Sequence, residues 1–140
     1  MTVTLPAPST AVLTATRLQA WLVHLIAAHS AFVGAMLLIV PAWSVAFAGW
    51  TTAHPLFFAR QGGVFHLVVA FGYLVEHRRC GTVTLLVFAK TAAFLFLILS
   101  AFAGEVAWVV PFSGVVDGAM GATAFLVHRA ARAPGGRAGR

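Results

Sequence analysis

The chain reads as an all-α integral membrane protein, a four-helix bundle with both termini on the cytoplasmic side. Three observations predict this: an apolar composition, four stretches long enough to cross a bilayer, and cations gathered on one side of those stretches. Of 140 residues, 61% are hydrophobic and 9% charged, and the mean hydropathy is +0.95. That balance suits lipid rather than water. A spanning helix needs about 20 mostly apolar residues, and the chain offers such runs at about 18–40, 56–76, 82–103 and 108–128. They occupy residues 17–129 as one bundle, with no second domain and no repeat at a fixed period.

Residues 1–16 are rich in Thr, Ala and Pro and are expected to be a flexible tail. Span one follows Arg17, and its small residues Ala27, Ala28, Ser30 and Ala31 also fit a cleavable signal peptide. The apolar run continues through Phe32 to Val40 without a break, which predicts a retained span. On one face it places Ala20, His24, Ala27, Ala28, Ala31 and Ala35, a packing stripe. The connection 41–55 carries Trp43, Phe47 and Trp50 at i, i+4 and i+7. This spacing predicts a short helix in the membrane interface; the functional alternative is a lid over an outward pocket, near His54 and Arg60.

Span two sets Gly62, His66, Val69, Tyr73 and Glu76 on one inward face, with Gln61 beside it. Arg60 points away near the outer boundary, either as an interfacial anchor or to recognise an anionic headgroup or carboxylate. Span three carries Lys90, and Cys80 precedes it as the single cysteine, which excludes an internal disulfide and a Cys-x-x-Cys pair. Span four holds Ser113, Gly114, Asp117, Gly118, Gly121 and Ala124. Small residues at this spacing let backbones approach, within the bundle or between copies of the chain. The tail 130–140 is an Ala/Gly/Arg segment too poor in apolar residues to fold alone.

Orientation follows from the cations, since Lys and Arg in short loops stay on the cytoplasmic side. Arg17, Arg78, Arg79, Arg129, Arg132, Arg137 and Arg140 all fall on one side, and Glu105 lies in a loop on the other. Trp21 lies just inside the inner boundary, while Trp43, Trp50 and Trp108 mark the outer one. The net charge of +6 is therefore a topology and lipid-headgroup signal, with no nucleic acid as partner.

Counting the rise along each span puts His29, His66, Lys90 and Asp117 roughly 13 to 18 Å deep, one layer near the bilayer centre. A central charge costs about 2.5 to 3.5 kcal/mol, so Lys90 and Asp117 should face each other or a wet cavity rather than lipid. The short loop between spans three and four makes these antiparallel neighbours. Three roles remain open for the pair: a register-fixing ion pair, a ligand or ion site, and a proton relay with His66 or His29. His66 by itself fits a hydrogen-bonded core histidine or a ligand.

His29 and His66 share a depth on adjacent spans, as axial haem ligands require, yet His29 lies off the alanine stripe beside Ile26, Val33 and Met36. Haem is therefore disfavoured. No zinc or di-iron spacing, phosphate loop, nucleophile elbow or paired-carboxylate arrangement occurs, so no catalytic residue is assigned.

Four short-looped spans, Arg60 followed by Gly62 and Gly63, and a Gly-rich fourth span with Asp117 resemble the DoxX-like superfamily of small bacterial membrane proteins. The resemblance implies a four-helix bundle and, in some members, association with membrane redox systems. It transfers no catalytic residue. Abundant Ala, Gly and Arg with a single Lys point to a high-GC bacterial genome and a bacterial inner membrane. The expected function is an accessory or binding protein whose polar pocket (Gln61, His66, Tyr73, Lys90, Asp117) takes a small amphipathic ligand, quinone or lipid, or which docks on a redox complex. The rivals are an oligomeric proton-coupled transporter or channel, and a haem-binding oxidoreductase subunit.

Overall fold

The computed structural model describes residues 10–51, 54–104 and 107–133. Glu105, Arg137, Arg140 and most of both expected tails lie outside the described residues. The described chain forms α1 (Thr10–Ile39), α2 (Pro41–Phe47), α3 (Phe57–Cys80), α4 (Thr84–Phe102) and α5 (Val109–Arg132). α1, α3, α4 and α5 are each long and apolar enough to cross a membrane. They match the four expected spans and make this a multi-pass membrane protein. Its surface agrees, since Phe71, Phe88, Phe96 and Phe102 stand exposed, where lipid tails solvate them and water would not.

Two helix ends depart from the expected boundaries. α1 begins at Thr10, inside the segment expected to be a flexible tail. Thr14 and Thr16 donate their hydroxyls to the carbonyls of Thr10 and Val12, both at 2.9 Å, so the polar side chains are satisfied along the helix itself. A helix of 30 residues is about 45 Å long, which exceeds the hydrocarbon core and leaves a turn or more for the headgroup region. α5 likewise runs to Arg132, past the expected start of the basic tail.

At the end of the bundle away from the start of α1 and the end of α5, the expected short helix exists, but it covers only Pro41–Phe47. Pro41 lacks the N–H that would continue α1, and the Ser44 hydroxyl donates to Met36 O and Val40 O, both at 3.0 Å. Trp43 and Phe47 stack at 5.1 Å. Trp50 falls outside this helix, because Gly49 turns the chain at φ +105° against Trp108. Trp108 Nε1 donates to Phe47 O at 2.8 Å, which ties α2 to the start of α5.

α1 packs against both α3 and α5, and α4 packs against α5, whereas α3 and α4 barely touch. The order α3–α1–α5–α4 thus leaves one open seam. At the α1–α3 crossing the two backbones meet: a Cβ on Gly63 would stand 2.7 Å from Gly34 O, and one on Gly34 would stand 2.7 Å from Gly63 O. Gly62, expected to be the packing glycine of this helix, faces only Leu37 at 3.9 Å. Against α4, Gly114 meets Leu97 and Ile98, Gly118 meets Phe94, and Gly121 meets the Lys90 Cβ. Small residues of α5 therefore serve packing inside the bundle.

The buried stripe of α1 is Gln19, Val23, Ile26, Ala27, Ser30 and Gly34, rotated from the expected alanine stripe, of which only Ala27 is buried. Alanine is as compatible with lipid as with a helix neighbour, so it marks neither face. Val23, Ile26, Ala27, Ala70, Tyr73, Leu86 and Ala124 join the four long helices in one core.

Candidate functional site

Lys90 on α4 donates to Asp117 Oδ1 on α5 at 2.5 Å, with side chains only 7% and 15% exposed. Both lie well inside their helices. The expected pair across antiparallel neighbours is present, and the backbone explains the fit. Gly121 leaves the Lys90 Cβ at 3.2 Å from where its own Cβ would stand. The lysine stem thus lies flat on α5 and reaches back one turn to the carboxylate.

Beside this pair lies a cleft of about 200 Å³, walled by Ser30 of α1, Phe65, His66 and Tyr73 of α3, Lys90 and Ala93 of α4, and Asp117 of α5. All four long helices contribute, and the α3–α4 seam is its side opening. His66 Nδ1 lies 2.8 Å from Gly62 O. A carbonyl oxygen only accepts, so Nδ1 carries the proton and Nε2 of the neutral ring is the free acceptor. Tyr73 is 2% exposed. The Ser30 hydroxyl is buried with no hydrogen-bond partner among the described residues, although a buried polar group is normally paired.

Of the residues the sequence nominates, His66, Tyr73, Lys90 and Asp117 come together in this cleft. Gln61 and Arg60 do not: both are exposed at the α2 end of α3. Position 61 sits beside the inward face on a helical wheel, but α3 turns Gly63 rather than Gly62 to α1, which carries Gln61 outward. His29 is exposed on α1 and absent from the cleft lining, so it and His66 do not face one another across a shared cavity.

Glu76 is a helix cap. Its carboxylate accepts from Thr82 Oγ1 at 2.7 Å, Thr84 N at 2.8 Å and Leu85 N at 2.9 Å. α4 has no side-chain cap of its own at Val83, and Glu76 supplies both the acceptors and the negative charge that the helix N-terminus favours.

Sequence reasoning missed Ser30 as a site residue, and it missed Gln19. Gln19 Nε2 donates to Gly81 O at 3.2 Å and lies 3.4 Å from His77 Nδ1. The amide orientation follows from the carbonyl, which needs a donor. Gln19 Oε1 therefore faces His128 Nδ1, at 3.1 Å, and accepts from it. One buried amide thus joins α1, α3, α5 and the α3–α4 turn at the end where α1 starts and α5 ends. Gln19, Val23, Ser30 and Gly34 share a heptad-like face, and two polar residues on one such face were the available signal.

A larger groove of about 370 Å³ runs along α4 and α5, where, among the described residues, Thr91 is the one polar lining side chain beside Val87, Phe94, Val115, Phe125 and small residues of α5. It offers shape without chemistry. Neither cavity is lined by a residue of α2, so that helix is a lid on neither. Among the described residues no group of three or more His, Cys, Asp or Glu is arranged to hold a metal ion. What the cleft can do is present donors and acceptors to a polar group inside an apolar bundle. Set against protein-family models, curated proteins and solved structures, the chain matches none.

Proposed function

We propose that this protein is an intramembrane binding or accessory protein whose α3–α4 cleft holds the polar head of a small amphipathic molecule, a quinone or a lipid. The observation that carries this reading is the unpartnered Ser30 hydroxyl in the same cleft as the Lys90–Asp117 pair. A pair kept only to fix helix register needs no cavity beside it. The DoxX-like resemblance of the spans and its redox association agree with a membrane-soluble ligand.

Placement in a bacterial cytoplasmic membrane with both termini inside belongs to the same proposal. Arg17, Arg78, Arg79, Arg129 and Arg132 sit at the end of the bundle that bears the termini, on the first turns of α1 and the last turns of α3 and α5. Cations there suit both the positive-inside bias and the carbonyl ends of α3 and α5.

Native mass spectrometry of the gently extracted protein tests the binding reading. A defined small molecule should be retained by the parent chain and lost from Ala93→Phe, which fills the mouth of the cleft from a half-exposed position. Bare protein in both cases, or a retained molecule indifferent to Ala93→Phe, counts against it.

A further inference from the structure

The lining of the cleft discriminates between ligand heads. Among the described residues, Lys90 is the only lysine or arginine that lines it, and its charge is engaged by Asp117 at 2.5 Å. Asp117 is the only carboxylate among the described lining residues. An anionic headgroup or a free carboxylate would have to break the ion pair and strand Asp117 in an apolar surround, which is the costly way to disturb a buried pair. A neutral head makes no such demand.

Donors and acceptors in the cleft are both unspent. Ser30 is 1% exposed and its Oγ has no partner among the described residues, and Tyr73 belongs to the same lining; a hydroxyl of either can donate. His66 has committed Nδ1–H to Gly62 O, so its Nε2 accepts. Asp117 engages Lys90 through Oδ1, and its second oxygen also accepts. The matching ligand carries oxygens able to accept in one form and to donate in another, on a body small enough for about 200 Å³. Sites that enclose a whole drug-sized ligand run to about 300–1,000 Å³. One substituted ring fits here, and any tail must leave through the α3–α4 seam into lipid.

Depth points the same way. Ser30, His66, Lys90 and Asp117 all lie away from the ends of their helices, at a level where a phospholipid headgroup does not reside but a hydrocarbon-soluble ring does. Phe65 stands 59% exposed at the wall of the cleft and gives an aromatic surface for such a ring to meet.

Building on the binding reading above, we infer that the cleft takes a neutral dioxygenated ring of the quinone–quinol class, admitted sideways from the bilayer between α3 and α4. The carbonyl form accepts from Ser30 and Tyr73, and the hydroxyl form donates to His66 Nε2.

The test uses the full chain in phosphatidylcholine nanodiscs with two photoreactive probes, an azido-benzoquinone bearing a decyl tail and a diazirine phosphatidylglycerol, each mapped by peptide mass spectrometry. The quinone probe should mark Phe65, His66, Ala89 or Ala93. Excess decylubiquinone should reduce that marking at least tenfold, as should Ala93→Phe or Ser30→Val, while Gln61→Ala leaves it unchanged. If the quinone label scatters over exposed helix faces without competition while the phosphatidylglycerol probe marks the cleft, the ligand class is wrong and the cleft remains a binding site. If neither probe marks the cleft, both readings fall.

Discussion

Removing either member of the Lys90–Asp117 pair should cost far more than removing both. At 2.5 Å and an effective dielectric near 20, the Coulomb attraction is about 6 to 7 kcal/mol. Desolvating two ions costs several kcal/mol each, so the intact pair stands close to neutral in stability. Lys90→Met leaves a carboxylate without its partner in the middle of the bundle, and Asp117→Leu leaves an ammonium there. Each should lose about 3 kcal/mol, the central cost on insertion scales and the lower bound for breaking buried pairs. That is roughly a 150-fold fall in the folded-to-unfolded ratio. The double variant Lys90→Met/Asp117→Leu should fall within about 1 kcal/mol of the parent, where additivity demands about 6. Unfolding by SDS titration from mixed micelles, followed by far-UV circular dichroism, reads all four proteins on one scale. Single variants that each lose less than 1 kcal/mol, with an additive double, would refute the pairing energetics.

Three further outcomes are expected. Gly63→Ala should destabilise by about 1 to 3 kcal/mol, because its Cβ meets a backbone carbonyl at 2.7 Å, while Gly62→Ala, with Leu37 at 3.9 Å, should be neutral or gain up to about 1 kcal/mol from helix propensity; the same titration measures both, and equal effects would count against the Gly34–Gly63 crossing. Glu76→Ala should cost about 1 to 2 kcal/mol by uncapping α4, and faster amide exchange confined to the first turn of α4 would identify the cause. Cys80, exposed at the end that bears the termini, should resist a membrane-impermeant maleimide in intact cells and react in inverted vesicles; the opposite pattern reverses the proposed orientation.

The fold was legible where the chain offers contrast. Apolar runs bounded by Arg and Pro located the long helices, and of the acids inside them only Asp117 shares the depth of Lys90. Contrast failed in α1, where alanine lies all round the helix and lipid does not discriminate between its faces. There the informative residues were Gln19, Ser30 and Gly34, whose polarity or lack of a side chain marks the protein-facing side. The helical wheel set Glu76 on the inward face, yet its partners lie across a turn, on Thr82, Thr84 and Leu85. Such a cap depends on where α3 stops, at Gly81 with φ +64°, and that depends on the fold as a whole. Gln61 and Trp50 failed for a related reason, since a periodicity assumes a helix whose rotation and end are already known.

Stability and opening are divided between different helix pairs. The Gly34–Gly63 crossing fastens α3 to α1, and the glycines of α5 fasten α4 to α5; neither contact depends on the α3–α4 seam. At the end where α1 starts and α5 ends, this seam is closed by the Glu76 carboxylate on Thr84 and Leu85, and by Leu85 lying against Gly72. Farther along, the cleft occupies the space between the same two helices. On the proposed reading, a ring enters from lipid by parting a seam that holds little of the packing, while both tightly joined pairs stay intact. On that reading the charge pair belongs to α4 and α5 rather than bridging the seam: an ion pair from α3 to α4 would lock the opening, whereas Lys90 and Asp117 form one wall and leave Ser30 Oγ and His66 Nε2 opposite to bond a ligand, His66 Nδ1 being held by Gly62 O.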